Sequence, residues 1–345
     1  MEKIYIYGLS LTELENILKS WQEPSFHARQ IFNWIYRKGI CDFAGMSDLS
    51  AALRAKLQAK FIYGDPHLVK GVKSTDDTEK FLLGLDDGAS IEAVIIPAKS
   101  RVTGCISTQV GCKYSCQFCA SGIGGFKRNL TCAEIIGQVM FLNRRCGETG
   151  LTHLVFMGTG EPFDNYENVI KSIRIINSDY SLNIGARRIT ISTSGIVPGI
   201  ERLAQEGLQV ELSISLHAAD DKIRTKLMPV NKIYPLDALI KASKAYVEQT
   251  GRQITFEYCL IKGANCGPDD ALNLSRILKK VGLAKVNLIP ANPVKEHGVQ
   301  PPADKDIDNF REILVKEGIN ITLRRPRGQD IDAACGQLRL VHEKE

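Results

Sequence analysis

The stretch RVTGCISTQVGCKYSCQFCASG, residues 101–122, begins as a β-branched run and ends as a cysteine-rich loop. The run is typical of a buried β-strand. The loop holds Cys112, Cys116 and Cys119 in the spacing C-x3-C-x2-C, and Cys105 lies seven residues before them. A strand that leads into clustered thiols places reactive groups at the C-terminal end of that strand, which is where α/β barrels carry their active sites.

Strand-like and helix-like segments alternate from this stretch onward. β-branched runs such as THLVFMGTG, RRITISTSG and QVELSISLHA are separated by amphipathic segments such as TCAEIIGQVMFLNRRC. This alternation is typical of parallel strands joined by crossover helices. Six or so such units predict an α/β fold with a partial TIM-like barrel, (β/α)6. A doubly wound sheet is the alternative.

Two smaller regions precede the predicted barrel. Residues 1–75 contain three amphipathic segments and predict a small N-terminal helical accessory domain. Residues 76–99 predict a β-hairpin linker around the turn Asp87-Gly88. We therefore expect a barrel domain over residues 100–345 that ends in a segment carrying Cys335.

The composition excludes several classes of protein. The 345 residues are 44% hydrophobic and 24% charged, as in ordinary globular proteins, and no apolar run reaches the roughly 18 residues of a membrane helix. The N-terminus lacks the pattern of a secretory signal, so we expect a cytoplasmic protein without a membrane partner. Ten cysteines in such a chain favour metal binding or catalysis over a disulfide framework.

The distribution of basic residues is more informative than the net charge of +5, which is too small to indicate nucleic-acid binding alone. Short basic clusters lie at residues 126–130, 186–190 and 323–328. Clusters that share a face would suit an RNA backbone. Ordinary solvated surface is the alternative.

Three clustered thiols suit one kind of metal centre better than another. A structural zinc site closes its coordination with four ligands, and a four-iron cluster held by four thiolates is also closed. The spacing C-x3-C-x2-C supplies three thiols without an obvious fourth, so a [4Fe-4S] cluster held there would keep one iron open. The alternative is a zinc-stapled, non-enzymatic RNA-binding module.

The motif and its position resemble the radical S-adenosylmethionine (SAM) superfamily. In that superfamily three cysteines hold a [4Fe-4S] cluster, the open iron chelates SAM, and one electron cleaves SAM to a 5′-deoxyadenosyl radical. The resemblance implies both cofactors here and assigns Cys112, Cys116 and Cys119 to the cluster. Phe118 stands where the superfamily usually has an aromatic residue beside the cofactor.

Polar motifs also follow later strands, as MGTGEP (157–162), ISTSG (191–195), SLHA (215–218) and IPANP (289–293). Each alone is ordinary strand-end capping, and GTGEP lacks the full G-x-G-x-x-G of a phosphate loop. At successive strand ends of one barrel they favour a cofactor site. By resemblance, the SAM-binding residues besides Phe118 are Gly160, Glu161, Ser192, Ser215, Leu216, His217 and Asn292.

A longer series of motifs resembles the RlmN/Cfr family of RNA adenine methyltransferases. QVGCKYSCQFCASG, KRNLT, MGTGEPFDN, ITISTSGIVP, SLHA, LMPVN, VNLIPANP and DIDAACGQLR occur in family order across about residues 90–340. The resemblance implies methylation of adenine C2 in 23S rRNA and in the tRNA anticodon loop, RNA contact by the N-terminal helices, and a flavodoxin or ferredoxin as electron donor. Cfr-like C8 methylation is the alternative, and GEPFDN favours the C2 branch.

The same resemblance gives roles to three more residues. It implies that Cys335 becomes an S-methylcysteine intermediate, that Cys105 is the resolving thiol and that Glu92 is the proton acceptor, with two SAM molecules used per turnover. Without the resemblance, Cys335 fits a buried cysteine in a small-residue turn and Glu92 fits an exposed strand residue. If the face that Glu92 shares with Val94 is covered, its carboxylate is desolvated.

Overall fold

The computed structural model describes residues 3–294, 298–324 and 326–338. The chain begins with the helices α1 Leu11–Ser20, α2 Phe26–Phe32 and α3 Ala51–Lys60. Ser10 and Ser50 cap α1 and α3, since each hydroxyl accepts a backbone N–H three residues later. The strands β1 Ile4–Tyr5 and β2 Phe61–Ile62 pair in parallel beside these helices. The predicted N-terminal helical region is therefore present.

Four antiparallel strands come next. They are β3 His67–Lys73, β4 Glu79–Gly84, β5 Ser90–Ala98 and β6 Arg101–Cys105. Asp87 and Gly88 turn the chain between β4 and β5: Asp87 Oδ1 accepts the Ala89 N–H at 3.0 Å, and Gly88 has a φ of +80°. Strand β3 lies before residue 75 and pairs with β4, while the predicted division into domains stays a prediction.

A short hairpin and six strands complete the sheets. The hairpin consists of β7 Gln109–Gly111 and β8 Phe126–Asn129. The later strands are β9 His153–Phe156, β10 Ile189–Thr193, β11 Glu211–Ser215, β12 Ile254–Leu260, β13 Ala284–Pro290 and β14 Ile321–Leu323. Strand β6 and these six strands are all parallel.

Helices connect the parallel strands. They are α4 Cys132–Arg145, α5 Tyr166–Asn177, α6 Val197–Gln205, α7 Asp221–Leu227, α8 Leu236–Thr250, α9 Pro268–Val281 and α10 Asp304–Lys316. Within the described ranges, none of the helices combines the length and the apolar character needed to cross a bilayer.

The spatial order of the strands decides between the two predicted folds. The sheet runs β14-β13-β12-β11-β10-β9-β6-β5-β4-β3, so the parallel strands follow chain order without reversal. A doubly wound sheet reverses its strand order at a switch point, and that alternative is therefore wrong. The six crossover units confirm the partial (β/α)6 barrel. Residues 339–345 of the predicted barrel domain lie outside the described residues.

The two faces of the barrel strands differ in polarity. On β10, Ile189 and Ile191 are fully buried under the helices, whereas Thr190 and Ser192 point to the opposite face and are only partly buried. This follows from the two-residue period of a strand. The helices therefore cover an apolar outer face, and polar side chains line the interior where the site lies.

Candidate active site

The cysteine loop lies between β7 and β8, at the C-terminal ends of the barrel strands. Gly111 ends β7 with a φ of +76°, and a Cβ at this position would lie 1.8 Å from the Gly125 carbonyl oxygen. Only glycine fits where the two ends of the loop approach so closely. Within the loop the Cys119 N–H donates to the Cys116 carbonyl at 3.1 Å, which turns the chain between these two thiols.

The arrangement of the three thiols suits a cluster. Cys112, Cys116 and Cys119 line one cavity. In a four-iron cluster each thiolate binds a different iron, so three thiols around one cavity leave the fourth iron open to another ligand.

The cavity brings together most of the side chains that the sequence indicated. Besides the three cysteines it is lined by Phe118, Gly160, Glu161, Ser192, Ser215, His217, Asn292 and Cys335. Leu216 does not line it, because its side chain is fully buried in the core and its carbonyl already accepts from Arg224. Cys105 and Glu92 lie outside the lining.

Glu161 presents a buried, oriented carboxylate to the cavity. Its Oε1 accepts the Phe163 N–H at 3.1 Å and its Oε2 accepts the Ser194 N–H at 2.7 Å. Burial raises the pKa of Glu161, and these N–H groups act in the opposite direction. Gly160 has a φ of +110°, and a Cβ there would lie 2.6 Å from the Cβ of Gln109. The turn therefore requires glycine. The Glu161 carboxylate that it presents can accept hydrogen bonds from a ligand with an ammonium group.

His217 is a neutral donor in this site. Its Nδ1 accepts the Cys259 N–H at 2.8 Å, so the proton of the neutral ring is on Nε2. Burial, and secondarily the charge of Arg224, lowers the pKa of His217 to about 3. The ring lies 4.4 Å from that of Phe118, measured between centroids. Both rings line the cavity, and their planes are inclined by 60°.

Arg224 holds two strand ends in place and was missed by the sequence reasoning. It is fully buried and donates to the carbonyls of Ser194 at 2.7 Å, Leu216 at 3.1 Å and Ser215 at 3.2 Å. Burial lowers its pKa to about 10. The segment DKIRTKL contains three basic residues, and helical periodicity does not indicate that the middle one is buried.

Ser194 offers a polar atom for a ligand. It lines the cavity, and its side chain hydrogen-bonds to the Glu161 carboxylate, which lowers the pKa of Glu161 against the effect of burial. The cavity therefore combines a carboxylate, an imidazole and a hydroxyl group, a set that fits the charged and polar groups of SAM.

Cys335 lies on a C-terminal segment, residues 326–338, that contacts the cysteine loop. The Gly336 carbonyl accepts the Ala120 N–H at 2.6 Å, and the Cys335 carbonyl accepts the Asn292 side-chain amide at 2.9 Å. Gly336 has a φ of +82°, and a Cβ there would lie 2.5 Å from the Phe118 carbonyl oxygen. The close contact therefore requires glycine, and Cys335 itself is exposed toward the cavity.

Cys105 lies behind this segment in a small apolar cluster with Val94, Ala333 and Leu338. Burial raises the pKa of its thiol to about 12, the neighbouring Cys335 thiol acts in the same direction, and the Arg324 guanidinium lowers it. Cys105 therefore packs against the segment that carries Cys335, although the two residues come from opposite ends of the barrel sequence. Both are free thiols.

Glu92 is buried, with 4% of its surface exposed, so the prediction of an exposed strand residue is wrong. Lys80 of β4 places its Nζ 3.3 Å from Glu92 Oε1. The same ammonium donates to the Asp332 carbonyl at 3.0 Å. Lys80 therefore links the carboxylate to the segment that carries Cys335, a contact that strand patterns do not predict.

Arg324 and Glu257 also border the thiols, and neither was predicted. Both line the cavity. The pKa of Arg324 is raised mainly by the neighbouring Cys335 thiol, with smaller contributions from Glu257 and Cys105, and lowered by burial. Burial raises the pKa of Glu257, which Arg324 lowers. The cluster LRRPRG was visible as a basic patch, but its pattern does not indicate which arginine points into the barrel.

A partial barrel with three thiols on the loop after its first strand, and a polar cavity at the strand ends, defines a radical SAM enzyme. The Radical SAM superfamily model matches residues 106–274. A second family model, the ribosomal RNA large subunit methyltransferase N-terminal domain, matches residues 4–62.

Full-length relatives identify the family. The chain is 47% identical over 341 residues to a probable dual-specificity RNA methyltransferase RlmN of Dictyoglomus turgidum, covering 98% of this chain and 97% of the relative. The protein of the same description from Bacillus cereus is 46% identical over 347 residues, covering 100% and 96%. A radical SAM methyltransferase from Sphaerobacter thermophilus superposes with a TM-score of 0.93 at 45% identity, covering 97% and 99%. The chain belongs to the RlmN family of radical SAM methyltransferases.

Proposed function

We propose that this enzyme methylates C2 of a specific adenosine in 23S rRNA and of an adenosine in the tRNA anticodon loop. The observation that carries the proposal is the packing of the buried Cys105 against Ala333 and Leu338, on the segment that places Cys335 in the cavity lining. An ordinary methyltransferase needs no thiol pair. A carbon such as adenine C2, which is electron-poor and carries a non-acidic hydrogen, needs a covalent route that the protein must also terminate.

Cys112, Cys116 and Cys119 are the residues that would hold a [4Fe-4S] cluster. Glu161 and the Gly160 turn would bind the ammonium of SAM, and Ser192, Ser215, His217 and Asn292 would bind its ribose, carboxylate and adenine, with Phe118 beside it. When bound, these cofactors supply one electron, a methyl group and a hydrogen-abstracting radical, with two SAM molecules used per turnover. The backbone of Leu216 connects Ser215 and His217, and we assign it a supporting place in this set.

The side chains of this protein have distinct parts in the reaction. The Cys335 sulfur carries the transferred carbon and is joined through it to adenine C2. The Glu92 carboxylate takes the proton from C2 as the adduct gives back the one electron that started the reaction, so that no unpaired electron remains when the adduct is resolved. The Cys105 thiolate then attacks the Cys335 sulfur: a sulfur–sulfur bond forms and the carbon–sulfur bond breaks. The electron pair of that bond stays with the carbon, which takes a proton and becomes the methyl group. A reductant must reopen the disulfide.

Nucleoside mass spectrometry tests the product. Anaerobically reconstituted enzyme is incubated with SAM, a reductant and either a 23S rRNA fragment or a tRNA transcript, and digested RNA is compared with 2-methyl- and 8-methyladenosine standards. We expect 2-methyladenosine from both RNAs. 8-Methyladenosine would indicate the Cfr-like alternative, and no methyladenosine from either RNA would contradict the proposal.

Isotope labelling tests the thiol route within the same reaction. Enzyme whose Cys335 has first been methylated with a CD3 group should give, in one turnover with unlabelled SAM, a product methyl that retains two deuterium atoms. The third is lost when hydrogen is abstracted. Three retained deuterium atoms would contradict a carbon intermediate on Cys335. Cys132→Ala is the control for loss of an unrelated thiol and should give the same two-deuterium product. Cys132 is buried, and its sulfur accepts a hydrogen bond from the Ser172 hydroxyl away from the cavity.

The proposed partners follow from the same function. The N-terminal helices would contact the rRNA or tRNA, and a flavodoxin or ferredoxin would supply the electron, as expected for a cytoplasmic enzyme. Iron analysis of the reconstituted protein checks the metal: about four irons per chain are expected. Membership of a methyltransferase family rules against the zinc-stapled, non-enzymatic module.

A further inference from the structure

A second cavity fills the barrel interior on the N-terminal side of the active site. Its lining comes from β5, β6 and β9–β14. The lining side chains include hydroxyl and amide groups, such as Thr190, Ser213 and Asn287, and charged groups, such as Arg101, Arg188 and Lys285.

This lining differs from that of a closed TIM barrel. The interior of such a barrel is filled with layers of branched apolar side chains. Here the strand register places Thr190 beside Glu211 and Thr255 beside Lys285, so polar groups face each other across neighbouring strands. Polar side chains that leave space between them hold water or a polar ligand rather than a packed core.

The second cavity meets the active site. Met157, Glu257 and Arg324 line both cavities. Arg324 interacts with the thiols of Cys335 and Cys105, so the interior passes directly to the reacting groups. Along β6, Cys105 at the inner end lies four positions after Arg101 at the outer end, a distance of about 13 Å along the strand.

The outer end of this cavity is strongly basic. Arg101, Arg187 and Arg188 are exposed and Lys285 is half-buried; we call these four residues the lumen mouth. The nearby carboxylate of Glu211 is already paired with Arg252 at 2.6 Å. Burial, and then the positive charges of Arg101 and Arg188, lowers the pKa of His153 between them, which reports the same positive field.

We propose that the lumen mouth binds the phosphodiester backbone of the substrate RNA, so that the target adenosine enters the barrel from the N-terminal ends of the strands. This inference rests on the proposed function and names the RNA-binding part of it. Enzymes that modify a base take it out of its stack. The hydroxyl and amide side chains of the second cavity provide hydrogen-bond partners for the sugar and the base edges. The four cations lie on β6, before β10 and on β13, and a polyanion can contact several of them at once.

Neutralising the lumen mouth tests the inference. The variant Arg101→Gln/Arg188→Gln is compared with Lys241→Gln/Lys244→Gln, which removes the same charge from the exposed, solvent-facing side of α8. Binding of a tRNA transcript is measured by filter binding over a series of salt concentrations. We expect about tenfold or greater weakening for the lumen-mouth variant and a salt slope reduced by about 1 per lost phosphate contact. The α8 variant should match the wild type.

Two further measurements keep the outcome decisive. Arg101→Lys/Arg188→Lys retains the charge and should keep most of the affinity and of the salt slope, whereas loss equal to that of the glutamine variant would overturn the inference. RNA binding by the glutamine variant equal to that of the α8 variant would also overturn it. Inorganic pyrophosphate that binds the wild type and leaves RNA binding unchanged would indicate a small-anion site instead. Failure of the proposed function looks different: wild-type enzyme would make no methyladenosine.

Discussion

The Lys80 ammonium lies 3.3 Å from the Glu92 carboxylate and also donates to the Asp332 carbonyl at 3.0 Å. One side chain therefore joins the proposed proton acceptor to the segment that carries Cys335. Because Glu92 is buried, its charged form depends on such partners. In the proposed mechanism, this contact would link proton removal from C2 to the placement of Cys335.

Replacing Lys80 with methionine should slow proton removal by about tenfold or more, because the carboxylate loses a cation and shifts toward its neutral form. The covalent adduct between Cys335 and RNA should then accumulate, which denaturing gels measure. Lys73→Met is the control, since Lys73 pairs with Asp77 at 3.0 Å on the exposed surface. Wild-type turnover in Lys80→Met would show that the contact has no part in the reaction.

Release of the product should depend steeply on pH. Burial raises the pKa of the Cys105 thiol to about 12, so only a small fraction of molecules carries the thiolate near neutral pH, and the thiolate is the attacking species. At pH values below this pKa, each increase in pH raises the fraction of Cys105 that is ionised. Decay of a preformed adduct should therefore accelerate about tenfold per pH unit between pH 7 and 9. A decay rate independent of pH would contradict attack by Cys105.

Gly336→Ala should uncouple methyl transfer from metal binding. The added Cβ would lie 2.5 Å from the Phe118 carbonyl oxygen, so the C-terminal segment must move away from the cysteine loop. We expect normal iron content and at least tenfold slower RNA methylation, because small misplacements of reacting groups are costly. Gly318→Ala is the matched control: Gly318 has a φ of +73° and open space around it. Equal loss of RNA methylation in the two variants would show that the loss comes from backbone strain alone and not from the contact with the cysteine loop.

Arg224→Met should destabilise the fold. The change leaves the buried carbonyls of Ser194 and Leu216 without this donor, which costs about 1–3 kcal/mol for each group. We expect a loss of at least about 2 kcal/mol in the free energy of unfolding, measured by urea titration. The control Arg276→Met, on the exposed face of α9, should have a free energy of unfolding within about 0.5 kcal/mol of the wild type. A change equally small in Arg224→Met would show that Arg224 does not stabilise the fold through these carbonyls.

Sequence patterns predicted the features of the fold and of the site that depend on short-range periodicity. The alternating strands and helices predicted the parallel barrel, and motifs such as MGTGEP and SLHA predicted which strand ends meet at the cavity. The contacts of Arg224 and Arg324 could not be predicted in this way, because each depends on which basic residue of a cluster points inward. The contact of Lys80 could not be predicted because its partner Asp332 lies 252 residues later in the sequence. Leu216 illustrates the converse: it belongs to a predicted motif, yet its side chain packs in the core.

Trapping the adduct tests the central claim most directly. Cys105→Ala is incubated anaerobically with SAM, a reductant and labelled RNA, then run on a denaturing gel beside Cys132→Ala and Cys105→Ala/Cys335→Ala. The account predicts RNA attached covalently to protein in Cys105→Ala alone. Free methylated RNA released by Cys105→Ala at the wild-type rate would contradict it.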